Sequence, residues 1–152
     1  MIVDNHHNQL SEAYRVLEEG GIAGFTVWGR REKSSFFTFT SDFAIKAGIE
    51  LPSTGRSNFH LSDKDLLISD LKAAGFSEVK AFYTTANPNL GGVDDYFHFL
   101  VNTPSRKIHY EALTEERRQE IKEEFYQQFE EKFGEESMEM TTWENLVVIA
   151  KK

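Results

Sequence analysis

The chain contains no cysteine, which excludes a disulfide framework, a thiolate metal site and a cysteine nucleophile together. Proline is nearly as scarce, with three in 152 residues, and no proline-rich or low-complexity linker divides the sequence. Positive charge is in deficit: 17 Lys and Arg face 25 Asp and Glu, a formal net charge of −8. Nucleic-acid affinity comes largely from clustered Lys and Arg that release counterions, so a general phosphate-backbone binder is excluded as a first reading. No apolar run approaches the ~20 residues that cross a bilayer. The polar start MIVDNHHNQL has neither the apolar core of a signal peptide nor an Arg-rich transit pattern. The expectation is a cytoplasmic protein with no membrane span and no nucleic-acid partner.

What is plentiful is phenylalanine. Thirteen occur, crowded at 36–43, 97–99 and 125–133, and with 39% apolar residues they suffice for one core, so 1–152 reads as a single domain. Leu10, Ala13, Val16 and Leu17 repeat at helical spacing over 8–19, with Asp4, Asn5 or Asn8 available as a cap, and Gly20-Gly21 stop the run. IAGFTVW at 22–28 follows at once and reads as a strand buried on both faces. Residues 29–60 form an insertion with a short helix near 42–47. Ser62 and Asp65 match a capping box ahead of Leu66, Leu67, Leu71 and Ala74, Gly75 closes that helix, and 78–85 alternates as a second strand. The second insertion, 87–140, holds a short aromatic helix that Asp94 is placed to cap. A longer helix follows, begun by Thr114, striped by Ile121, Phe125, Phe129 and Phe133, and ended at Gly134. NLVVIA at 145–150 is the last strand.

Three segments carry a family resemblance. Arg15-Val16-Leu17-Glu18-Glu19-Gly20-Gly21, running into Ile22–Trp28, resembles the turn that leads into the fifth strand of class I S-adenosylmethionine-dependent methyltransferases, with Glu18-Glu19 where that family more often has Lys-Pro. Leu71-Lys72-Ala73-Ala74-Gly75-Phe76 through Val79 is similar to the same family's entry into the sixth strand, and 146–150 to its terminal seventh. The resemblance implies an α/β fold: a partial Rossmann-like sheet whose seventh-like strand inserts antiparallel between two parallel neighbours, with helical insertions. It implies the C-terminal, acceptor-side half of an enzyme that moves a methyl group from S-adenosylmethionine to a small-molecule or lipid-like acceptor, or a noncatalytic scaffold derived from one.

The family's glycine-rich first loop and the acidic residue after its second strand are missing from these residues, and strands one to four would precede Met1. The isolated chain is therefore not expected to bind S-adenosylmethionine. The resemblance favours Trp28 with Phe36, Phe37 and Phe39 as acceptor-pocket walls, against packing of the insertion onto the sheet. Phe59, His60, Tyr96 and Phe97 are further candidate lining, with His60 or His98 as a general base, against structural roles for all of them. His6-His7 either approach a site completed by another polypeptide or form a solvated pair. Adjacent residues diverge and no third ligand has recognisable spacing, so no metal site is expected. The strand Ile22–Trp28 would lack its fourth-strand neighbour, which points to self-association or a partner chain along that edge.

Overall fold

In the computed structural model, which describes residues 5–50, 57–87, 91–134 and 142–152, ten elements follow one another. They are α1 (His6–Val16), β1 (Ile22–Trp28), a 3₁₀ turn (Arg31–Lys33), α2 (Ser35–Lys46), α3 (Lys64–Ala73), β2 (Glu78–Ala86), α4 (Val93–Asn102), α5 (Pro104–Glu111), α6 (Glu115–Phe133) and β3 (Trp143–Lys151). They form two compact units: Met1–Lys33 with Gly55–Ala86 and Trp143–Lys152, and Ser34–Thr54 with Asn87–Thr142.

The first unit is a three-stranded sheet of order β1-β3-β2. The central β3 is antiparallel to both neighbours, with Phe25 opposite Val148 on one side and Ala81 opposite Val148 on the other, so β1 and β2 run parallel to each other. Leu10 of α1 and Leu67 and Leu71 of α3 pack with Phe76 onto Leu146, Val148 and Ala150, which makes one face of the sheet the core. The expectation that β1 is buried on both faces is corrected here. Its residues alternate between exposed and half-buried because these two helices cover a single face; on the other, Ile22, Phe82 and Ile149 are 65%, 49% and 43% exposed.

The ladder also fixes which way the β1 backbone points. Gly21 accepts at its carbonyl from the Lys152 N–H (2.9 Å), and the Gly29 N–H donates to the Glu144 carbonyl (2.7 Å). Backbone groups of an antiparallel strand alternate between its two edges. Residues 23, 25 and 27 therefore face β3, while Ile22, Gly24 and Thr26 direct N–H and C=O to the opposite edge, where no strand pairs among the described residues.

The second unit is helical. Phe125, on the buried stripe of α6, has Phe39, Phe43, Phe97 and Phe129 rings around it at centroid distances of 5.5, 5.1, 5.4 and 5.7 Å. Buried Arg106 is neutralised by Glu50, with Nε to Oε2 at 2.9 Å. Thr114 caps α6 by accepting from the Arg117 N–H, and Gly134 ends it. Other termini differ from expectation. The first helix spans His6–Val16 instead of 8–19, with Asn5, one of the three expected caps, at its start. Asp63 replaces Ser62 as the cap of α3, because its Oδ1 reaches both the Asp65 and Leu66 N–H groups. Gly92, not Asp94, precedes α4, and Asp95 takes the Gly92 N–H. The short helix expected at 42–47 is the end of a twelve-residue helix.

Candidate functional site

In open α/β sheets, ligands lie beyond the carboxyl ends of the strands. Helices α1 and α3 each run back along the sheet into the strand that follows, so their first turns come to that end. Accordingly, His6 at the start of α1 shares a cavity of about 270 Å³ with Phe25, Thr26 and Val27 from the second half of β1. An adjoining cavity of about 200 Å³ is lined by His6, His60, Asp63, Leu67 and Asp70.

Two polar groupings occupy this end of the first unit. One is built on Glu144, whose side chain is 5% exposed. Its Oε1 accepts from the Arg30 N–H (2.8 Å) and Nε (2.9 Å), and its Oε2 from Arg30 Nη2 (2.7 Å). Gly29 makes this possible: a Cβ there would lie 2.6 Å from Glu144 Cγ, so only glycine lets the carboxylate fold back over the turn. The Arg30 guanidinium also lies 4.4 Å from the Tyr83 ring centre, and Tyr83 Oη donates to the Ser62 carbonyl at 2.8 Å. Arg30 is thus the partner of a buried carboxylate.

The hydrogen bond from the Arg30 side chain, opposed by burial and aided by the Arg30 N–H, holds the Glu144 carboxyl below the usual carboxylate range. A depressed folded-state pKa adds stability that is present above the unfolded value of about 4.3 and is lost as pH falls through the lower folded value. Arg30→Ala removes the largest cause of that depression and keeps the backbone N–H at position 30. We expect its acid-unfolding midpoint, followed by circular dichroism, to move to higher pH than that of the parent; an unchanged midpoint would show that the pair contributes nothing.

The second grouping gathers His6, His7, His60 and Asp70. His6 Nε2 donates to Asp70 Oδ2 at 2.8 Å, and His7 Nδ1 lies 3.8 Å from Asp70 Oδ1. The His6 and His7 rings are 4.0 Å apart, and His60 stands 6.4 Å from His6. Asp70 is the member that sequence spacing did not reveal, because 64 residues separate it from His6. Only α1 packing against α3 joins them.

The other residues singled out from sequence fall into both units. Trp28 stands at the end of β1 with its ring edge-on to Trp143, centroids 5.8 Å apart. Phe59 and His60 lie in the turn before α3, where the Phe59 N–H donates to Ser57 Oγ. Phe36, Tyr96 and Phe97 are buried within the second unit, and Phe37 is half-buried there against Phe36. Phe39 is buried within the second unit too, so of the expected lining residues the structure brings only His60 into the histidine grouping.

No family model and no curated protein matches this sequence. Among solved structures, a protein of Bacillus halodurans C-125 named as a candidate methyltransferase aligns with 95% of this chain and 61% of its own length, at 21% identity and a TM-score of 0.35. The chain thus spans less than two thirds of that protein.

Proposed function

We propose that these residues form the acceptor-side part of an S-adenosylmethionine-dependent methyltransferase, in which the strands that hold the cofactor add to the free edge of β1. The observation that carries the reading is the strand order: β3, last in the chain, lies between β1 and β2 and antiparallel to both. This is the arrangement that the glycine turns before Ile22 and at Gly75 imply by resemblance. The methyl acceptor in this reading is a small or lipid-like molecule, held near Trp28 at the carboxyl end of β1. Burial of Phe36, Tyr96 and Phe97 in a core favours a second reading, in which the same half-fold serves as a noncatalytic scaffold.

The described residues do not by themselves fit the cofactor. Gly20-Gly21 open a strand, so no helix N-terminus follows them to meet a ligand. Gly91-Gly92 do lead into a helix, but the Gly92 N–H is taken by Asp95 at 3.0 Å, and Asp94 stands in the same first turn. Calorimetric titration of S-adenosylmethionine into the isolated chain is therefore expected to show no stoichiometric site, while the chain joined to the strands that complete its sheet shows one. A micromolar, one-to-one site on the isolated chain would overturn the proposal.

A further inference from the structure

We propose that His6, His7 and Asp70, with His60 as fourth ligand, form a binding site for a divalent metal ion of the zinc class. The site does not depend on the methyltransferase reading, since all four residues belong to the first unit and contacts within that unit gather them.

The donor set selects the ion. Imidazole nitrogens with one carboxylate suit zinc and its neighbours, whereas magnesium and calcium take oxygen ligands. Geometry supplies the convergence that the sequence pattern did not suggest. His6 and His7 are neighbours on the first turn of α1, yet both turn toward the same carboxylate, His6 to Oδ2 and His7 toward Oδ1 of Asp70. One ligand atom from each of the three lies within 4.8 Å of the others. Ligand bonds of ~2.0–2.2 Å place two ligands of a tetrahedral zinc about 3.3–3.5 Å apart, so the observed separations need adjustments of about an ångström. A cation between His6 Nε2 and Asp70 Oδ2 replaces the proton they share, and that proton leaves to solvent.

His60 is the independent observation. Its Nδ1 lies 2.7 Å from the Ser57 carbonyl, which can only accept, so Nδ1 carries the proton and the neutral ring's lone pair is on Nε2. That Nε2 is buried and has no hydrogen-bond partner among the described residues. A buried acceptor left without a donor is costly, about 1–3 kcal/mol in general. A ring whose far nitrogen is anchored to a backbone carbonyl is also how metal-bound histidines are commonly oriented. His60 opens onto the same cavity as His6 and Asp70. The ion would tie together the start of α1, the turn before α3, and α3 itself.

The test uses untagged protein and zinc alone, followed by calorimetry, with cobalt(II) as a spectroscopic reporter of tetrahedral nitrogen and oxygen ligation. The expected result is one ion per chain, an intense visible cobalt band that zinc abolishes, and a zinc-dependent rise in Tm. Loss of a partner that merely orients a ligand typically lowers metal affinity ~10–100-fold. We expect at least that loss in Asp70→Asn and in His60→Ala, and none in His98→Ala. His7→Ala, at an exposed ring, gives the same reading should Asp70→Asn fail to fold. Absence of saturable binding in large zinc excess would overturn the site, as would parent-like affinity in either the Asp70 or the His60 variant with the fold intact by circular dichroism.

Discussion

Phe125→Ala is expected to lower stability by about 3–5 kcal/mol, the range found when a fully buried aromatic ring is cut back to a methyl group. Phe125 is 0% exposed and lies among four other phenylalanine rings, two on α2, one on α4 and one a turn away along α6. Rings held on three helices cannot all move into the space one of them leaves, so the cavity term adds to the lost transfer energy. The loss is a large share of the ~5–15 kcal/mol that holds a domain folded. For a chain of this length it corresponds to a fall in Tm of roughly 10 °C. Scanning calorimetry of parent and variant measures it, and Phe125→Leu should lose much less because it keeps most of the volume. A fall of only a degree or two for the alanine variant would show that the cluster repacks.

Much of the sheet unit was legible in the sequence because its signals are local. Glycine turns precede both parallel strands, and Gly75 shows why the residue type matters there. Its φ is +112°, and a Cβ would lie 2.8 Å from the Tyr14 ring, so both backbone conformation and packing require glycine. Thr114 and Gly134 bounded α6 correctly for the same reason, since caps act within one turn. The helix α2 was visible only at its end because SFFTFTSDF is rich in Phe and Thr, which favour strands locally and form a helix here when Phe36, Phe39 and Phe43 share a buried face. Burial of β1 on one face only was not legible either, because an apolar run does not say how many layers cover it.

The histidine grouping was the least legible part of the site. His6-His7 read as a divergent pair because spacing along the chain carries no information about Asp70, which reaches them only through the packing of α1 on α3. The buried Nε2 of His60 is equally invisible, since it follows from one hydrogen bond to Ser57 across a turn.

The central claim is that the outer edge of β1 receives further strands, and Thr26 is where it is most open to test. Thr26 and Gly24 direct their backbone groups away from β3, by the alternation that Gly21 and Gly29 define. Proline removes a backbone N–H, and at an edge position it disturbs no bond on the paired side. Thr26→Pro should therefore leave the β1–β3 ladder and the fold in place while blocking any strand that pairs outside. Ile22–Trp28 carries no charge and no proline, so nothing in its side chains discourages such pairing. The direct measurement is photocrosslinking from a reactive side chain at position 26 in the cells that produce the protein, followed by identification of the joined peptide. The account predicts a crosslink to a strand of a polypeptide segment bearing a glycine-rich cofactor loop, binding of S-adenosylmethionine by the joined species, and loss of that association with Thr26→Pro. A protein that stays a folded, monodisperse monomer, with position 26 joined only to its own chain within the described residues, would contradict it.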